Sequence, residues 1–132
     1  IRKEIAWLPQ ELFFDVQSCR ELVLLSFQFE VNKIYTPSEK DVTEMLENLM
    51  LPKGILDKKV SEISGGQKQR LLLASLLLMP KPLLFLDEPT SALDQIATES
   101  VLKIIKNQEK TVISASHDSI WNNSMNKIIK IK

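Results

Sequence analysis

The sequence predicts an α/β protein, a parallel sheet with flanking helices plus a helical segment set apart from it. Residues 83–86, Leu-Leu-Phe-Leu, form a wholly apolar run of strand length. After it Ile96, Ser100, Val101, Ile104 and Ile105 recur at helical spacing, and residues 111–115 return to a strand pattern. A strand, a helix and a second strand in that order imply parallel pairing, because only a crossover of this length brings the chain back to the same end of the sheet. Before residue 80 the pattern is mostly helical.

Taken in order, residues 3–8 read as a short strand that stops at Pro9 and leaves Gln10 in a loop. Residues 17–27 read as a helix. Thr36-Pro37-Ser38-Glu39 has the spacing of a capping box with Pro at the first helical position; Val42, Met45, Leu46 and Leu49 follow at helical intervals until Pro52. A further helix starts beside Gly66, carries the apolar residues 71–79 and closes at Pro80. Beyond the strand–helix–strand unit, residues 119–123 suggest a short helix and residues 127–131 a last strand.

The 132 residues suffice for one modest domain and are too few for two. Seventeen basic and seventeen acidic residues balance to zero and are dispersed, which argues against an electrostatic hold on nucleic acid or anionic lipid. The single cysteine, Cys19, has no metal-type neighbours and reads as a small apolar residue in a reducing compartment. The longest apolar stretch, 71–79, is well short of the roughly 20 residues that cross a bilayer, so a soluble chain is expected. The sequence opens on Ile1 within a strand pattern, with neither an initiator Met nor a signal sequence, and is expected to be a truncated product.

The chemistry begins with Asp87 and Glu88, paired carboxylates at the carboxyl end of the apolar strand, where open α/β sheets place their ligands. Successive residues there point in different directions. One carboxylate can approach a Mg²⁺ ion while its neighbour reaches a water that attacks a terminal phosphate; Asp87 is assigned to the metal and Glu88 to the water. Pro89 then turns the backbone out of the sheet. In Ser64-Gly65-Gly66-Gln67, glycines at a helix start let backbone N–H groups approach an anion, the helix dipole adds attraction, and Ser64 both caps the helix and offers a hydroxyl. Each piece alone has a plainer explanation: an acidic strand end in solvent, a Ser-Gly-Gly turn, a surface histidine at His117. No glycine is followed by Lys, so the G-x-x-x-x-G-K-S/T loop that cradles nucleotide phosphates is absent from these residues.

Together, and in this order, the pieces resemble the ATP-binding cassette (ABC) ATPases. Trp7-Leu8-Pro9-Gln10-Glu11 is similar to the family's Q-loop, and Ile63-Ser64-Gly65-Gly66-Gln67-Lys68-Gln69-Arg70 to its signature. Residues 83–89 are similar to its Walker B strand, Ser91-Ala92-Leu93-Asp94 to its D-loop and Ser116-His117-Asp118 to its H-loop. Two departures stand out: Ser75 occupies a position where the family often has Arg, and Ile63 replaces the commoner Leu.

The resemblance implies a partial P-loop NTPase fold with three parts: 1–10, the end of a core strand and the Q-loop; 11–62, a helical subdomain; and 63–132, the signature helix with the Walker B, D-loop and H-loop core. It implies ATP and Mg²⁺ as cofactors, with Glu88 polarising the attacking water, His117 holding the γ-phosphate and Gln10 touching Mg²⁺ or the water. Ser64, Gly65, Gly66 and Gln67 would press on the nucleotide of a second ABC ATPase subunit in a head-to-tail dimer whose seam Asp94 organises. The helical subdomain would receive a transmembrane permease subunit at the cytoplasmic face of a membrane, with no nucleic acid partner. The sheet would lack an interior strand, leaving apolar edges unpaired and the isolated chain poorly stable. Two other readings are a soluble ABC ATPase of DNA maintenance or translation and a non-catalytic cassette offering only a signature surface. The compact segment between Gln10 and Ser64, without sustained heptads, counts against the coiled-coil DNA-maintenance type.

Overall fold

A computed structural model of the chain describes residues 5–8 and 15–129. Its sheet has three parallel strands in the order β1 (Ile5–Leu8), β2 (Leu83–Asp87) and β3 (Thr111–Ala115). Ala6 pairs with Leu84 and Leu84 with Val112, which puts these three on one face. That face is the buried one: Ala6, Leu84 and Leu86 join the core. Trp7, Phe85 and Ile113 share the other face, where Trp7 is 65% and Ile113 51% exposed. The apolar run of β2 is therefore buried only at alternate residues, Leu84 and Leu86, and not throughout as its composition suggests. Among the described residues β1 and β3 are the sheet's edges.

The helix α3 (Gly65–Leu77) is the spine of the molecule. Every residue from Leu71 to Leu77 is buried, the mark of a helix enclosed on all sides. It packs against α1 (Cys19–Val23), α2 (Glu39–Asn48) and β1, so one core runs from the helical segment into the sheet. Helix α4 (Gln95–Asn107) makes the crossover from β2 to β3, and α5 (Ser119–Asn123) packs beside it. Trp121 of α5 is fully buried, and its indole N–H donates to Ser114 Oγ of β3 at 2.8 Å.

Four sequence expectations need correction. The helix over 17–27 stops at Val23 and gives way to a 3-10 turn, Leu25–Phe27. In that turn the Ser26 N–H donates to Ser75 Oγ at 3.3 Å, and the Ser75 hydroxyl donates to Ser26 Oγ at 2.8 Å, which ties the turn to α3. The cap of α2 is Ser38 with Asp41, not Thr36 with Glu39, and Pro37 lies outside the helix. Thr36 is engaged behind it, where its hydroxyl donates to Lys33 C=O at 2.7 Å. The helix then ends at Asn48, ahead of Pro52, because Met50 turns left-handed at φ 53°. The N–H groups of Met50 and Leu51 return to the carbonyls of Glu47 and Leu46. Residues 127–129 form no strand; residues 130 and 131 of that expectation, and residues 3 and 4 of the first strand, lie outside the described residues. Cys19 is wholly buried, and burial, aided by the nearby Glu62 carboxylate and opposed by Lys58, pushes its thiol pKa up, in keeping with a core role.

Candidate functional site

The strand β2 delivers Asp87 as its last residue, paired with Ala115 of β3, and Glu88 immediately beyond it. Glu88 has φ 45°, a left-handed backbone that costs a non-glycine residue about 1–2 kcal/mol. Both of its peptide groups are held. Its N–H donates to Ala115 C=O at 2.9 Å, and its C=O accepts from the Gln69 side-chain amide at 2.9 Å and from the Ser91 N–H at 3.2 Å. Its side chain is only 17% exposed, and Oε1 stands 3.7 Å from Nε2 of the fully exposed His117.

The flanks of His117 are built to hold it. Ser116 Oγ accepts the Asp118 N–H at 3.1 Å and Ser116 C=O accepts from the Asn122 amide at 3.1 Å. Asp118 caps α5, accepting the N–H groups of Ile120 and Trp121. Burial pushes the Asp118 pKa up, but the nearby Thr90 hydroxyl and the hydrogen bonds from those two N–H groups outweigh it and hold the carboxyl below its usual value. His117 thus follows β3 by two residues and stands on a turn tied to a buried tryptophan.

The signature segment starts α3. Ser64 is the N-cap: its Oγ accepts the Gln67 N–H at 3.2 Å, and Gln67 Oε1 accepts the Ser64 N–H at 3.0 Å. A hydroxyl that accepts one N–H keeps its own proton for a second partner. Gly65 is in ordinary contact range of Ala92, but a β-carbon on Gly66 would lie 2.6 Å from the Ala92 carbonyl oxygen. Gly66 is therefore what lets the helix start and the 91–93 loop touch. Asp94 ends that loop and caps α4, its Oδ1 accepting the Ala97 N–H at 2.8 Å.

The structure thus brings Glu88 to His117 and the signature glycines to the loop before Asp94. Gln10 lies outside the described residues. Among the described residues no three His, Cys, Asp or Glu side chains gather as a metal-binding group. Sequence reasoning gave Gln69 no separate role, although it bridges the Glu88 carbonyl and the Ala92 N–H. Its signal was spacing: Gln69 is three residues after Gly66 and so shares that face of the helix. It also passed over Arg70, whose guanidinium donates to the carbonyls of Leu49 and Met50 at 3.0 Å each, satisfying the end of α2.

The fold and the family are shared with known proteins. The ABC transporter family model matches residues 1–91, and the chain belongs to that family. It is 36% identical over 124 residues to a probable iron chelatin transport ATP-binding protein of Helicobacter pylori, covering 88% of this chain and 48% of that one. It is 35% identical over 120 residues to the zinc import ATP-binding protein ZnuC of Ehrlichia chaffeensis, covering 86% and 47%. Among solved structures, a putative ABC transporter ATP-binding protein from Pyrococcus furiosus superposes with a TM-score of 0.72 at 24% identity, covering 89% of this chain and 59% of that one. The ATP-binding subunit of another ABC transporter superposes at 0.70 and 21% identity, covering 88% and 49%. The fold is that of an ABC ATPase domain, and the chain spans about half the length of the curated relatives it matches.

Proposed function

We propose that these residues are one part of the ATP-hydrolysing subunit of a membrane transporter, the part that positions water and completes a partner's site. The observation that carries this reading is the Glu88–His117 pair, an enclosed carboxylate on a strained, doubly held backbone, 3.7 Å from an exposed imidazole. Glu88 accepts a proton from the water that attacks the γ-phosphate, and His117 holds the transferred phosphoryl in line. His117 waits exposed and Glu88 mostly enclosed, which suits a histidine that meets its ligand and a base kept from bulk water.

Asp87 would hold Mg²⁺, with Gln10 as a further ligand. A lone carboxylate fits this ion, which keeps several waters and is otherwise bound by substrate phosphates. When bound, Mg²⁺ neutralises charge on the phosphates. The phosphate-gripping loop, absent from these residues, would come from outside this sequence, so the chain alone is proposed to be inactive. Ser64, Gly65, Gly66 and Gln67 would meet the nucleotide of a second, head-to-tail ATPase subunit, with Asp94 at the seam. The 11–62 segment would receive a permease, which would hold the protein at the cytoplasmic face. Among the described residues no helix is long and apolar enough to cross a membrane, consistent with a separate membrane-spanning partner. The test is ATP turnover by the full-length subunit, by this chain alone, and by full-length His117→Ala. The reading expects turnover, none, and a loss of at least about 100-fold; a full-length protein that does not hydrolyse ATP refutes it.

A further inference from the structure

The Gln69 side chain joins two backbone groups from different parts of the site. Nε2 donates to the Glu88 carbonyl at 2.9 Å, while Oε1 accepts the Ala92 N–H at 3.1 Å and lies 3.4 Å from the Ser91 hydroxyl. Gln69 stands on α3, five residues after its N-cap Ser64, so the helix that presents the signature glycines also grips the peptide of the carboxylate. Glu88 is left-handed at φ 45°. A non-glycine residue keeps that conformation only where its surroundings over-determine it. On one side the Glu88 N–H is fixed by Ala115, the end of the strand ladder; on the other its carbonyl is held by Gln69 at 2.9 Å, with the Ser91 N–H as a longer second donor at 3.2 Å.

We propose that Gln69 is a positioning residue for Glu88: its amide fixes the left-handed peptide that aims the carboxylate at His117, and it ties that peptide to the signature end of α3. The proposal rests on the ATPase reading above. An amide is the side chain the bridge requires, because one end must donate and the other accept. A carboxylate keeps only the acceptor, and a leucine keeps neither. A shift of α3 at its N-terminus, where a partner subunit's nucleotide would press, reaches the Glu88 peptide through one side chain.

The test uses the full-length ATPase. Gln69→Leu and Gln69→Glu each lower kcat by about 10- to 100-fold with KM for ATP unchanged within about twofold, the pattern of a misplaced reacting group with substrate binding intact. In single-turnover reactions, Gln69→Leu adds no further loss in the Glu88→Gln background, because the group it positions is already gone. A Gln69→Glu variant at wild-type kcat beside an inactive Glu88→Gln overturns the proposal and leaves the ATPase reading standing. So does a Gln69→Leu effect that multiplies undiminished onto Glu88→Gln. Undiminished turnover by Glu88→Gln itself overturns the underlying reading and this proposal with it.

Discussion

The carbonyl oxygen of Ala92 occupies the space that a side chain on Gly66 would need, 2.6 Å from the position of its β-carbon. The obstacle is backbone, so relief requires the 91–93 loop or the start of α3 to move. Gly66→Ala is expected to destabilise by about 1–2 kcal/mol, the cost of overpacking less the helix propensity gained. Denaturant unfolding of the two proteins checks this, and an unchanged midpoint contradicts the close approach.

Ser75 and Ser26 are joined by two hydrogen bonds across the core. Ser75→Ala strands the Ser26 N–H and hydroxyl at a half-buried site, an expected loss of about 1–2 kcal/mol. Equilibrium urea unfolding reads it. A neutral effect would mean that water replaces the Ser75 hydroxyl at no cost.

Met50 turns left-handed to end α2, a conformation in which glycine carries no β-carbon penalty. Met50 is also partly exposed, so little packing is lost with its side chain. Met50→Gly is expected to raise stability, by about 0.5–1 kcal/mol. A fall in melting temperature would show that the methionine contributes more through its contacts than its backbone costs.

Burial pushes the Lys110 amino group down to about 8 from 10.5, while its ammonium donates to the Met79 carbonyl. Between those two values the unfolded chain binds more protons than the folded one, so this group makes stability rise with pH across that window. Below it both states are charged and the burial penalty is fully felt. Unfolding free energies of wild type and Lys110→Met, compared from about pH 7.5 to 10.5, isolate the term. The wild type is expected to gain on the variant as pH rises, and a constant difference contradicts the shift.

The sequence made β2 and β3 legible because their signals were local. The apolar run at 83–86, the five residues 111–115 and the helix 119–123 all stand where the pattern placed them. The helical segment was less legible, because its elements are short and are separated by irregular turns. The turn after Val23 is tied to Ser75, some fifty residues away, and no local pattern announces that link. The cap of α2 was misplaced because Thr36 and Ser38 both begin plausible boxes, and only the Thr36 bond to Lys33 decides between them. At the site, motif order pointed to Glu88 and His117, and the fold puts them within 3.7 Å. Spacing puts Gln69 on the Gly66 face of α3, but its bond to the Glu88 carbonyl and the left-handed Glu88 belong to tertiary geometry, which spacing does not encode.

The central claim, that Glu88 takes the proton from the attacking water, is tested most directly by ATP turnover of full-length Glu88→Gln. Glutamine keeps the size of the side chain and removes its basicity. The expected result is a fall in kcat of about 100- to 10,000-fold with ATP still bound, leaving an ATP-loaded dimer. Turnover at the wild-type rate would contradict the account.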